Sequence, residues 1–401
     1  MKFSNLLLAL ICSIPVFGQQ FTHYTETDGL VNNSVNCIAI DANQSVWLGT
    51  NKGISKFDGF EWTSDTTNLI NNNVTAVFTS STGDLWVGTD EGISVLSESI
   101  WSTHTEEDGL GDNRVSSINE DANGVIWVGE KDGLSRFDGS TWSSYSMSDG
   151  LPFGGVKYVT FDSNNELWLA NNLFGLIHFN GNSFTIYDTE AGLVSNKVTS
   201  IAIDQDDTKW IGTSQGISVL DANNQVLAQH TMMLLLPEPD TLNPVVDIKM
   251  DSQGNVWTGI YVDYLVTVGG VAVWNGSLWS EFSNEEVLVG PVVRALAIDG
   301  NDNVWVATSS GLTKMSGVSL SVSPISASSN LELYPNPTRN VINFKEHVKG
   351  SISIFSPLGH LVLKQATEKG LNQIYVEDLS DGIYFLKSDN GATQKLIIKH
   401  D

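Results

Sequence analysis

Short apolar and β-branched runs recur along most of this chain, each bounded by Asp, Asn or Gly. Runs of that length with turn residues at both ends read as β-strands. The clearest phrase covers residues 35–59 (VNCIAIDANQSVWLGTNKGISKFDG) and returns at 115–139 (VSSINEDANGVIWVGEKDGLSRFDG). Four strands can be read in it. Strand A is apolar, as at 74–78 or 198–203, and a polar turn follows, such as DANQS at Asp41 or DSQG at Asp251. Asp, Asn and Gly favour such turns because they bond their own backbone and accept left-handed angles. Strand B carries a tryptophan, as in Trp86-Val87-Gly88-Thr89, and strand C begins with Gly, as at 53–57 and 216–220. Asp58-Gly59 and Asn275-Gly276 are strong hairpin signals, and strand D behind them holds a second aromatic such as Trp62, Trp142 or Phe184.

Seven tryptophans mark the strand B positions: Trp47, Trp86, Trp127, Trp168, Trp210, Trp257 and Trp305, spaced 39 to 48 residues apart. A repeat of roughly 40–45 residues built of short strands is the mark of a β-propeller. The fold class is therefore all-β, a seven-bladed β-propeller. Recurrence of the ring at one place in every repeat points to packing between blades rather than to a row of sugar-stacking platforms. The seventh repeat stops near Gly317, after strand C, while residues 21–30 (FTHYTETDGL) match the strand D segment at 142–151 (WSSYSMSDGL). The N-terminal strand is expected to complete the last blade and remove two exposed sheet edges.

The ends of the chain read differently. Residues 1–18 have the form of a secretory signal peptide: Lys2, then an apolar run at 6–17, then a cut after Gly18. That run is too short to span a membrane. The propeller is placed at 19–317, a Ser-rich linker at 318–330, and a small Ig-like β-sandwich at 331–401, where short strands alternate with Pro, Gly and Asn turns. Once the signal is removed Cys37 is the only cysteine, so packing must hold the fold without an internal disulfide.

The net charge of −26 belongs to the repeats, since residues 331–401 carry eight basic and eight acidic side chains. An anionic body repels phosphates, which argues against nucleic acid and anionic lipid as partners. No phosphate-binding loop, nucleophile elbow or Cys/His metal spacing is present, so no catalytic residue, metal site or cofactor is assigned. The turns at Asp204 and Asp299 resemble calcium loops but lack the central Gly and closing Glu, and read as ordinary hairpins. His23, His104 and His230 fall in strand D or at its end, and are expected at the rim.

In a propeller the D-to-A connections and B-to-C turns share one face, the usual mouth. Its polar contributors here include Asn33, Asn72, Asn113, Arg114 and Lys131. Two insertions lengthen blade six on that face, at 232–244 (MMLLLPEPDTLNP) and 261–270 (YVDYLVTVGG). Long loops on rigid scaffolds often carry function. Tyr261, Tyr264, Met232, Met233 and Leu235 are therefore expected to form one wall of a contact for a glycan, peptide or protein. The alternatives are a structural or adhesive surface protein, and a propeller lyase or hydrolase.

The phrase D-x-x-G-x-[IVL]-W-[VL]-G-T-x-x-G-[IL]-S-x-[FL]-D-G resembles the two-component-regulator propeller repeat over about residues 20–318. Repeat four departs from it, with Asn171-Asn172 in place of Gly-Thr, and repeat six is stretched after Gly259. The resemblance implies a ligand-binding scaffold. A weaker resemblance is to the streptogramin lyases, whose repeats place a glutamate after the tryptophan; only Glu130 matches here. Residues 331–401 resemble the type A C-terminal sorting domain of type IX secretion, through Leu333-Tyr334-Pro335-Asn336-Pro337, Val341-Ile342-Asn343-Phe344, Gly382-Ile383-Tyr384-Phe385-Leu386-Lys387 and Lys395-Leu396-Ile397-Ile398-Lys399. That resemblance implies the type IX machinery as a partner, and passage through the periplasm to the outer surface or beyond in a Bacteroidetes-type bacterium.

Overall fold

The computed structural model describes residues 19–231, 233, 243–261, 269–282, 287–318, 333–346, 350–355, 361–368, 370–388 and 393–400. The signal region and nearly all of the segment assigned as linker lie outside them. The chain divides into two compact units, Met1–Ser319 and Leu320–Asp401.

Seven four-stranded antiparallel sheets make up the first unit. In the first sheet Val35–Ile40, Val46–Thr50, Gly53–Phe57 and Trp62–Asp65 are strands A to D, neighbours in that order. The same meander recurs up to Trp279–Phe282. The seventh sheet combines Val293–Ile298, Val304–Thr308 and Gly311–Ser316 with the N-terminal Gln20–Tyr24, which pairs antiparallel with Gly311–Ser316. Each strand A lies against the next, and the seventh returns to the first, so the sheets close into a ring. The unit is a β-propeller and each sheet a blade. Tyr24 secures the closure: its ring lies 6.0 Å from Trp305 in the last blade and 5.4 Å from Trp62 in the first.

The recurring words of the sequence have packing reasons. Six of the seven strand B tryptophans are buried, and Trp47 is half-buried. In five blades the first Asp of the A–B turn holds the turn's amides with one oxygen and the tryptophan indole with the other, as in Trp168 to Asp162 at 3.0 Å and Trp305 to Asp299 at 3.0 Å. The strand C serine is buried and accepts a backbone N–H from the loop entering its blade: Val31 to Ser55 at 2.9 Å, Ile70 to Ser94 at 2.8 Å, Val194 to Ser218 at 2.9 Å. Gly49 precedes the strand B threonine because a Cβ there would stand 2.5 Å from Val74 of the next blade.

Repeat four needs a correction. The register pairs Ala170 with Leu176 and Asn171 with Gly175, so Ala170-Asn171, and not Asn171-Asn172, replaces Gly-Thr. Where Thr50 bonds the Gly53 carbonyl and the Lys52 amide, Asn171 accepts from the Leu173 and Phe174 amides, both at 2.8 Å. A larger side chain thus holds a turn that is one residue longer.

In the second unit, Val341–Glu346 pairs with Gly370–Tyr375, and Leu361–Thr367, Gly350–Phe355, Gly382–Ser388 and Thr393–Ile398 form a four-stranded sheet in that order. Ile342, Phe344 and Ile374 from the first sheet share one core with Ile354, Leu386 and Leu396 from the second. Among the described residues no helix is long and apolar enough to cross a membrane.

Candidate functional site

The inner strands enclose a channel of about 480 Å³. In six blades the A–B ladder slips after the first residue of strand A, a bulge that leaves the second residue unpaired and re-aims it. These residues, Asn36, Thr75, Ser116, Thr199, Val246 and Arg294, all line the channel, and Lys157 takes the equivalent place in blade four. Three of them staple the next blade: Asn36 Nδ2 donates to the Val74 carbonyl at 2.9 Å, Thr75 to Val115 at 2.7 Å and Thr199 to Val245 at 2.7 Å. At the closing seam one Arg294 nitrogen donates to Ser34 Oγ at 2.7 Å and Asn36 Oδ1 at 2.5 Å.

The channel's charge is opposite to that of the body. Its lining includes Lys157, Lys249 and Arg294 but one acid, Asp247. Lys249 Nζ donates to Asp247 Oδ1 at 2.7 Å and to Tyr158 Oη at 3.2 Å, and the other Asp247 oxygen accepts the Leu296 amide at 2.9 Å. Burial opposes the Lys249 charge, but Asp247 and Tyr158 hold its pKa above the ordinary lysine value. Lys157 has no acid beside it: among the described residues its ammonium makes no hydrogen bond or ion pair. Its side chain is exposed to the channel, yet protein walls surround it, and this desolvation lowers its pKa, with only the Cys37 thiol acting to raise it. Desolvation likewise lowers the pKa of Arg294, against the pull of nearby Tyr261. Burial pushes the Cys37 thiol up to about 12, a state that favours the inert thiol.

The D–A connections and B–C turns are stitched together on one face. Asn51 donates to the Ser34 carbonyl at 3.3 Å, Lys131 to Arg114 at 3.0 Å and Ser214 to Lys197 at 3.0 Å. Several residues assigned to this face shape its loops. Asn33 Oδ1 accepts the Glu26 amide at 2.7 Å, Asn113 Oδ1 accepts the Glu106 amide at 2.9 Å, and Asn72 donates to the Thr66 carbonyl at 2.9 Å. Arg114 bridges Asp112 at 2.6 Å and Asp132 at 2.5 Å, and Lys131 stands exposed beside it. Tyr261 is the half-buried last residue of Val256–Tyr261, opposite Gly269. Met233, expected in an exposed wall, is instead buried in the core shared by blades five and six, its amide donating to Asn243 Oδ1 at 2.7 Å. Met232, Leu235 and Tyr264 lie outside the described residues.

Sequence reasoning missed an apolar cluster on the same face of blade four. Phe153, Leu173 and Phe174 are 58%, 52% and 42% exposed. Asn171 Nδ2 draws their loops together, donating to the carbonyls of Phe153 at 3.1 Å and Gly155 at 2.8 Å. The extra residue in the repeat-four turn was the available signal. Lys157 and Arg294 were missed because a single cation in an inner strand, or just before it, looks like ordinary alternation.

Several other titratable groups belong to the scaffold. His104 and His230 are not at the rim: each stacks on a strand B tryptophan and accepts an indole N–H from the next blade. Glu130 takes the strand B threonine's place in blade three and is fully buried, and its pKa is pushed up to about 8 by desolvation, against hydrogen bonds from Ser135 and the Gly111 amide. Asp299 Oδ1 accepts the Asn301 and Asn303 amides while Oδ2 accepts the Trp305 indole, so this carboxylate is engaged in its hairpin. Asp162, Glu166 and His178 could approach one metal ion, at the A–B turn of blade four on the opposite face. There His178 pairs with Glu166 at 2.8 Å, and Asp162 already accepts the Trp168 indole.

Family models match two segments. The two component regulator propeller matches residues 29–52, 68–91 and 109–131, and the secretion system C-terminal sorting domain matches 332–399. The chain carries two-component-regulator propeller repeats and a type IX sorting domain. The sorting domain indicates export to the cell surface or outside. No curated protein matches the chain. Among solved structures, the extracellular domain of the hybrid two component system BT3049 from B. thetaiotaomicron is 18% identical with a TM-score of 0.64, covering 95% of this chain and 55% of that one. This propeller chain thus spans about half the length of that relative. PorZ, a surface component of the type-IX secretion system of Porphyromonas gingivalis, is 17% identical with a TM-score of 0.57, covering 93% and 60%. Virginiamycin B lyase from Staphylococcus aureus, solved with quinupristin, is 17% identical with a TM-score of 0.60, covering 74% and 98%. At such identities the likeness extends to the fold alone.

Proposed function

We propose that this chain is a non-catalytic binding protein of the cell surface or its surroundings, whose D–A and B–C face recognises a glycan, peptide or protein. The exposed cluster of Phe153, Leu173 and Phe174 carries this reading. Three large apolar side chains brought together around an extra turn residue exceed what the scaffold needs, and such patches mark contact sites. Tyr261, Tyr264, Met232 and Leu235 of blade six extend the face in this proposal, with Arg114 and Lys131 supplying charge. The sorting domain is read as an Ig-like sandwich joined through the Ser-rich linker at 318–330, with the seven-bladed ring at 19–317. The non-catalytic reading is supported by the engagement of His23, His104, His178 and His230 with scaffold side chains.

A glycan array and a peptide library probed with the mature chain test this. Saturable binding should disappear in Leu173→Ser/Phe174→Ser, or in Tyr261→Ala/Tyr264→Ala, while the melting temperature holds. A folded protein that binds nothing on either array would favour a structural or adhesive role. Turnover abolished by one acid or histidine substitution would favour a lyase or hydrolase.

A further inference from the structure

We infer that the channel holds a small, hydroxyl-rich monocarboxylate, a sugar acid by chemical class, with its carboxylate at Lys157 and Arg294. The inference rests on the reading of this propeller as a binding protein and names the ligand's chemistry.

The first ground is charge placement. Among the described residues Lys157 is a cation in the channel without hydrogen bond or ion pair, whereas the Lys249 charge is answered by Asp247 and Tyr158. Arg294 directs one nitrogen to Ser34 and Asn36, which leaves further guanidinium donors of the five it carries. The channel wall therefore carries a net positive charge. A cationic channel in a chain of net charge −26 needs a reason, because the body's acidity alone would make acids the default lining.

The second ground is selection by size and charge. Surface carboxylates are screened beyond about 8 Å at physiological salt, but within that range they repel an approaching polyanion in proportion to its charge. A monoanion meets the least repulsion outside and gains the less screened attraction inside. A volume of about 480 Å³ accommodates a molecule the size of one or two sugar rings and not a polymer.

The third ground is the rest of the wall. Ser116 offers a hydroxyl at the level of Lys157, Thr75 and Thr199 keep oxygen lone pairs as acceptors while their protons hold the next blade, and the Tyr158 ring stands in the wall with Lys249 Nζ 5.3 Å from its centroid. Hydroxyl oxygens able to accept, beside one aromatic ring, suit a polyol that donates its hydroxyl protons.

The experiment is calorimetric titration of the mature full-length chain with glucuronate, glucose and N-acetyl-Ala-Ala. Glucuronate should bind saturably, glucose at least 10-fold more weakly, and the dipeptide no better than glucose. Lys157→Met should weaken glucuronate at least 10-fold, and Lys157→Arg should restore most of the loss. The Lys157 ammonium makes no hydrogen bond among the described residues, so Lys157→Met should melt as the parent does, and a variant that failed to fold would overturn the premise that this side chain is free. No glucuronate binding, equal binding by Lys157→Met, or a preference for the dipeptide or glucose would also overturn the inference. Array binding of a neutral ligand beside silent glucuronate would sink this inference alone. Glucuronate binding lost in Lys157→Met but unchanged in Leu173→Ser/Phe174→Ser, with both arrays silent, would sink the face reading and leave the channel standing.

Discussion

Across the seam between the second and third blades, Trp142 donates its indole N–H to His104 Nδ1 at 3.4 Å, while the His104 ring stacks on Trp86 with centroids 6.0 Å apart. Blades five and six repeat the device, with Trp279 donating to His230 at 3.2 Å and His230 stacked on Trp210 at 5.8 Å. A nitrogen that accepts carries no proton, so both seams are built around neutral imidazole. Burial agrees, holding both pKa values below the ordinary histidine value, with Asp108 pulling the other way at His104.

Acid should therefore loosen these seams. An unfolded histidine titrates near about 6.5, and the folded rings take up their protons at lower pH. Between those values the unfolded state binds more protons, so this contribution is complete above about pH 6.5 and fades as pH falls towards the folded values. Replacing both rings, His104→Phe with His230→Phe, supplies what Phe282 already supplies over Trp257 in blade six. The decline in melting temperature from about pH 7 to about pH 5 should flatten, and an unchanged decline would place the acid sensitivity elsewhere.

Glu130 should give the opposite slope. Its folded pKa of about 8 lies above the ordinary 4.5, so between these values the folded state keeps a proton that the unfolded chain has lost. Stability should then fall as pH rises through that window. Glu130→Gln keeps the shape without the charge and should stabilise the propeller by about 2 kcal/mol at alkaline pH, with little change in acid. Denaturant midpoints measured on both sides of the window decide it.

Blade two lacks the aspartate that receives the tryptophan indole in blades one, three, four, six and seven. Ser80 caps the turn, accepting the Asp84 amide at 3.0 Å, but has no second oxygen, and Trp86 Nε1 is buried without a partner. Ser80→Asp should add the missing bond and stabilise by about 1 kcal/mol, the net worth of a typical hydrogen bond. An unchanged or lowered melting temperature would show that repulsion from Asp84 cancels the gain.

Ring closure should depend on Tyr24. Its ring touches Phe57 and Trp62 in the first blade and Trp305 in the last, 5.4 to 6.0 Å away. Tyr24→Ala should cost about 2–3 kcal/mol, toward the low end for a large core truncation because the side chain is only half-buried. Faster proteolytic loss of the N-terminal strand should accompany the lower denaturant midpoint.

The repeat length, the strand order within a repeat and the N-terminal strand's place beside Gly311–Ser316 were legible in the sequence. Each rests on local chemistry that recurs in most repeats: an Asp that folds the turn and holds the indole, a serine that ties in the incoming loop, a glycine where the next blade approaches. Repetition makes such words visible. The channel's character could not be read that way. Lys157 and Arg294 are 137 residues apart in sequence, and neither differs locally from an ordinary strand residue. Only closure of the ring brings inner strands from blades four and seven to one lumen, and only the bulge after the first strand A residue turns Arg294 into it. The same holds for His104 and His230, whose partners lie 38 and 49 residues away on the next blade, and for Phe153 beside Leu173, which a longer turn places on one face. Sequence set the blades because each repeat specifies its own hairpins; tertiary structure decided the site, because the site is made of residues that meet only when separate blades pack.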